Sequence, residues 1–108
     1  MNLTKKKRPE RIKDVLTKIR QCVEEGNYRF TPHAFTRQNE RNITLPEVLH
    51  VLKNGYEDKR KTSFNDEQNT WKYAISGKTI RDEIDMRIIV AFDENNMIII
   101  TVMRVGTL

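Results

Sequence analysis

His33, Arg37 and Arg41 stand four residues apart in the stretch TPHAFTRQNERN. On a helix that spacing drifts only about 40° per step, so the three side chains share one face. An imidazole beside two guanidinium groups makes an electropositive stripe suited to an anion. Arginine forks bind phosphate, and histidine is the side chain that most readily exchanges a proton near neutral pH. The same residues also admit a structural reading. His33 then caps the helix start, and the arginines pair with Glu40, Glu47 or strand carboxylates.

Further cations lie in the second half of the chain, at Lys72, Lys78, Arg81, Arg87 and Arg104. Tyr73 and Trp71 beside them could stack on unpaired bases, as aromatic side chains do in single-stranded RNA recognition. Trp71 equally suits a core position. Strict alternation along the last strand puts Arg104 on one face with Ile98, Ile100 and Val102. Cys22 sits on an apolar helical stripe and reads as a buried thiol, and His50 reads as a surface group. Asp82, Glu83 and Asp85 read as a solvent-facing turn. His33 and His50 are too far apart for a metal-ligand spacing, so neither a metal nor another cofactor is expected.

The elements that must position these residues follow from periodicity. Ile12, Val15, Leu16, Ile19, Cys22 and Val23 form one amphipathic stripe, predicting a helix over 9–25. Pro9 suits its first turn and Gly26 its left-handed end. Tyr28 to Phe30 is a short extended segment. Thr31-Pro32 opens a second helix to about Arg41, so polar that its core face alone does not specify it. Asn42 suits a left-handed stop. Thr44 and Glu47 have capping-box spacing before a third helix with Leu45, Val48, Leu49 and Leu52, ended by Asn54-Gly55. Tyr56 to Phe64 reads as a charged edge strand, and Trp71 to Ser76 as a half-buried one. Met86–Phe92 and Met97–Val105 read as central strands joined by a turn at Asp93–Asn96. Helices before a run of strands predict an α+β domain over 1–108, its N-terminal helices on one face of an antiparallel meander of four to five strands.

The net charge of +5 is unevenly placed. Residues 1–20 hold eight basic and two acidic groups, whereas residues 21–108 hold 12 basic and 13 acidic. The basic character is thus an expected disordered arm over 1–7 plus the first helix. Lys5, Lys6, Lys7, Arg8 and Arg11 there suit phosphate backbones or an acidic partner protein. No stretch is apolar enough for a membrane span or a secretory signal. One cysteine forms no internal disulfide, so the expected setting is the cytoplasm.

The block TPHAFTRQNERNITLPEVLHVLKNG resembles the head of a bacterial domain-of-unknown-function family with the pattern HAxxRxxxR-Gly-Ile-[Ser/Thr]-x-x-Glu-[Val/Ile]. His33, Ala34, Arg37, Arg41, Ile43, Thr44, Glu47 and Val48 match it in order, with Asn42 where glycine is usual. The tail GKTIRDEIDMRIIVAFDENNMIIITVMRV is similar to that family's closing hairpin. The resemblance covers about 28–105 and leaves the basic helix outside. Such proteins look like distant kin of the RelE, BrnT and MqsR toxins, small α+β ribonucleases that cut mRNA. The resemblance therefore implies a RelE/BrnT-like fold and the toxin of a toxin–antitoxin pair, a metal-independent endoribonuclease. His33, Arg37 and Arg41 would be catalytic, and Lys72, Tyr73, Arg81, Arg87 and Arg104 would bind RNA. The implied partners are mRNA and a cognate antitoxin of zinc-finger or helix-turn-helix type. The alternative is a non-catalytic module that binds RNA or protein through the basic N-terminal helix.

Overall fold

The computed structural model describes residues 7–105. Lys5 and Lys6, and with them most of the expected basic arm, lie outside the described residues. The first helix, α1 (Val15–Glu25), starts six residues later than the stripe predicts. Asp14 caps it, accepting the Thr17 amide at 3.4 Å and the Thr17 hydroxyl at 2.7 Å. The preceding residues cross the sheet instead. The Ile12 amide donates to the Tyr73 hydroxyl at 2.9 Å, and the Trp71 indole donates to the Pro9 carbonyl at 2.8 Å. Tertiary partners thus take the backbone groups that an earlier helical turn would have used. Gly26 ends α1 in the left-handed conformation, φ 74°.

After β1 (Tyr28–Phe30) come α2 (Pro32–Glu40) and α3 (Leu45–Asn54). Thr31 caps α2, and Thr44 and Glu47 close a reciprocal capping box on α3. The expected charged edge strand is broken. A turn at Asp58, whose carbonyl accepts the Lys61 and Thr62 amides, divides it into β2 (Tyr56–Glu57) and β3 (Ser63–Asn65). The long strands β4 (Thr70–Lys78), β5 (Asp85–Asp93) and β6 (Asn96–Arg104) complete the α+β fold.

The six strands lie in the order β1-β6-β5-β4-β2, with β3 also on β4. β4, β5 and β6 form the antiparallel meander, but β1 joins β6 in parallel, so the sheet is mixed. That pairing unites residues nearly 70 positions apart, and no local pattern signals it. α1 and α3 cover one face, where Val15, Ile19, Val48, Val51 and Leu52 pack on Ile75, Ile88, Val90, Ile99 and Val102. No helix of the described residues is long and apolar enough to cross a membrane.

A bulge sets the faces of β6. Val90 pairs with Ile99 and Ile89 with Thr101, so Ile100 is an extra residue. Beyond it the alternation reverses. Arg104 therefore shares the core face with Val102, Ile99 and Met97, and not with Ile98 and Ile100.

Tyr73 is only 2% exposed, and burial pushes its hydroxyl pKa above the ordinary value; burial does the same to the Cys22 thiol. Both groups bind their protons more tightly folded than unfolded. Their effect on stability is nil while both states are protonated, and stability falls as pH rises through the ordinary thiol and phenol ranges. Tyr73→Phe also removes the bond to Ile12. It is expected to cost about 1 kcal/mol at neutral pH and to flatten the alkaline fall. Urea midpoints from pH 7 to pH 11 check both; an unchanged slope in the variant assigns the loss elsewhere.

Candidate functional site

α2 has few apolar residues, and β6 explains why it is a helix in this place. β1 occupies the outer edge of β6 only from Met97 to Ile99. Past that point α2 is pinned to the strand at both ends. The Thr31 amide donates to the Ile99 carbonyl at 3.0 Å, and Arg41 Nη1 donates to the Val102 carbonyl at 2.7 Å. Arg104 Nη1 donates in turn to the Arg41 carbonyl at 2.6 Å. A cation at the last carbonyls also suits the negative end of the helix dipole. Ala34, wholly buried, permits the close approach.

This docking brings His33, Arg37 and Arg41 onto one cleft of about 200 Å³ with Thr101, Val102 and Met103 of β6. Among the described residues no carboxylate lines it. Arg37 Nε donates to His33 Nε2 at 3.5 Å, which leaves the proton of a neutral imidazole on Nδ1. Arg37 also meets Glu40 at 3.6 Å, an exposed pair that solvent screens heavily. Of the structural reading only the Arg37–Glu40 pair forms: Thr31 and not His33 caps α2, and Arg41 binds a backbone carbonyl in place of a carboxylate. Arg41 spends one donor on holding the helix, while His33 and Arg37 remain exposed at the mouth.

The remaining candidate residues do not gather there as a group. Tyr73 faces the core and cannot stack on a base, because its ring is enclosed and its hydroxyl accepts from Ile12. Trp71 packs edge-on against Phe64 beneath Arg8 and Arg11. Arg81 and Arg104 line a separate groove with Thr44, Glu47, Ile80 and Asp82. Lys72 and Arg87 occupy the opposite face of the sheet, the one without helices. Register places Arg87 beside Met103, which lines the His33 cleft.

Arg8 and Arg11 are engaged within the chain. The Arg8 guanidinium lies 4.2 Å above the Phe64 ring, and Arg11 forms an ion pair with the largely buried Glu57. Lys7 is exposed.

Two residues of the helix-free face went unread in the sequence. Arg29, exposed on β1, stands beside Ile98. Tyr56, 62% exposed, stands beside Ser76. An aromatic among the charges of YEDKRK was the available signal for Tyr56. Among the described residues, no three His, Cys, Asp or Glu side chains gather where they could hold a metal ion.

Fold and cleft together define a small α+β protein with a cationic histidine site at the edge of its sheet. The family model for Domain of unknown function (DUF4258) matches residues 30–104, and the chain belongs to that family. The match runs from the end of β1 to the end of β6 and leaves α1 outside. No curated protein matches the chain.

Proposed function

We propose that this protein is a toxin-type endoribonuclease that cleaves mRNA without a metal and is held in check by a cognate antitoxin. The observation that carries the reading is the meeting of His33, Arg37 and Arg41 at one cleft that no carboxylate of the described residues lines. RNA carries its own nucleophile, so cleavage needs a base, a charge stabiliser and a proton for the leaving group. Nε2 of His33 takes the 2′-hydroxyl proton as the 2′-oxygen attacks phosphorus. The bond to the 5′-oxygen breaks, and that oxygen takes a proton from solvent at the open mouth. A 2′,3′-cyclic phosphate and a 5′-hydroxyl result. Arg37 and the free donors of Arg41 neutralise the phosphorane. A phosphate that draws Arg37 toward itself also releases the Nε2 lone pair. The resemblance of the sequence to distant kin of the RelE, BrnT and MqsR toxins supports the same chemistry by analogy of fold.

The binding-module alternative has less support, because Arg8 and Arg11 already have partners within the chain. The test is cleavage of single-stranded RNA by purified protein in chelator. Arg37→Ala is expected to lower the rate about 100-fold without loss of stability. Arg41→Ala lowers the rate as well and costs about 1 kcal/mol, because it also frees the Val102 carbonyl. Absence of cleavage by the unaltered protein, or full rates in both variants, sinks the reading.

A further inference from the structure

We infer that the helix-free face of the sheet is a track for single-stranded RNA, running from Tyr56 through Ser76 and Arg87 to Met103 at the cleft mouth. The inference rests on the ribonuclease reading and assigns that reaction two binding residues, Tyr56 and Arg87.

Strand register draws the line. Tyr56 of β2 pairs with Ser76 of β4, Ser76 with Arg87 of β5, and Arg87 with Met103 of β6. Paired residues point to the same side of a sheet, so all four stand on one face. Three strand spacings separate the ends, about 14 Å, and the last member lines the His33 cleft. A strand of RNA with its phosphate at His33 would cross the sheet along this row.

The side chains suit that occupant. Tyr56 is one of the few large apolar residues left exposed, and it sits on the rim of a hollow of about 260 Å³ with Ser76 and Arg87. Base stacking uses such a ring and tolerates any sequence. Arg87 is half-buried, and its Nε is wholly shielded without a hydrogen-bond partner. No carboxylate of the described residues lies within ion-pair distance of it. The two acids on the same hollow are already engaged, Asp85 by Lys78 at 2.9 Å and Asp58 by the Arg60 amide at 3.2 Å. A guanidinium that lines a hollow and has no carboxylate partner suits a phosphate oxygen as its acceptor. Arg29 and Lys72 add cations to the same face. A duplex would keep its bases from Tyr56, so the track selects single strands.

The experiment measures binding apart from cleavage. The probe is a short fluorescent single-stranded oligoribonucleotide, 2′-O-methylated throughout so that no 2′-hydroxyl can attack. Its affinity is read by anisotropy over a salt series. Tyr56→Ala is expected to weaken binding about tenfold, and Tyr56→Phe by less than about twofold, because the ring remains. Arg87→Gln is expected to weaken it about tenfold and to lower the salt slope by about one charge; Arg87→Lys restores part of both.

Equal binding by all variants overturns the track, as does a duplex that binds as tightly as the single strand. An acidic peptide whose binding depends on Tyr56 and Arg87, where the oligonucleotide's does not, assigns the face to a protein and overturns it too. Probe binding that depends on both residues, with no cleavage of unmodified RNA by the unaltered protein, supports the track and removes the reaction. Cleavage with no such dependence removes the track alone.

Discussion

Replacing His33 with alanine is expected to lower RNA cleavage about 1,000-fold while leaving the fold intact. The size follows from the role. A positioned general base contributes about 10²- to 10⁴-fold, and the cleft offers no second imidazole to take over. In barrier terms the loss is about 4 kcal/mol. The fold should survive because the His33 side chain is exposed and its bond from Arg37, 3.5 Å, is long. Stability should therefore change by less than about 0.5 kcal/mol. On the proposed mechanism the remaining activity should come from Arg37 and Arg41, which would still hold the phosphate. Single-turnover rates and urea midpoints on the same preparations check both halves. A His33→Ala protein that cleaves as fast as the parent takes His33 out of the mechanism. One that fails to fold shows instead that His33 secures α2.

Gly55→Ala is the second large effect, and it falls on stability. Gly55 follows α3 with φ −82° and ψ −168°, an ordinary conformation for any residue. The difficulty is space. A Cβ built there falls 2.6 Å from the Val51 carbonyl oxygen and closer still to that of Ser76. Both obstacles are backbone and cannot swing aside. Gly77 on β4 lies opposite, so helix and strand meet glycine to glycine. Alanine must push α3 off β4 and open the core around Val51 and Ile75. The expected cost is about 3 kcal/mol, or roughly 15 °C in melting temperature. Gly26→Ala is the control. Its Cβ would meet nothing within 4 Å, so it bears only the left-handed φ of 74°, a strain of about 1 kcal/mol. A Gly55→Ala protein no less stable than Gly26→Ala would falsify the contact.

These two glycines show where local reading stops. Each follows a helix, and in sequence both look like the same end signal. Both amides turn back to the last helical carbonyls, Gly55 to Val51 at 2.7 Å, but only Gly26 takes the left-handed φ for which glycine is the usual end residue. Gly55 is required by a strand some twenty residues further on. Signals completed within a few residues were legible: the Thr31 cap, the Thr44–Glu47 box, Asn42 at φ 55°, and the turn between Asp93 and Asn96 with Glu94 left-handed. The hydrogen bonds that enforce them close over three or four residues, so the chain carries them wherever it goes.

The candidate site divides along the same boundary. That His33, Arg37 and Arg41 share a face follows from helical pitch alone, and the sequence by itself determined it. Which surface the face meets did not follow. The ends of α2 are tied to carbonyls of β6 more than 60 residues away, where β1 stops short. Strict alternation put Arg104 with Ile98 and Ile100, but one extra residue at Ile100 reverses the strand and sends Arg104 to the end of α2. Tyr73 suits stacking by residue type alone, but the N-terminal segment binds its hydroxyl through the Ile12 amide. Tyr56 and Arg87 become neighbours only through two strand pairings. Periodicity reports the two faces of each element, and pairing and packing between distant segments choose which face is covered. Only the tertiary structure therefore decided where the cationic stripe opens and which side of the sheet lies bare beside it.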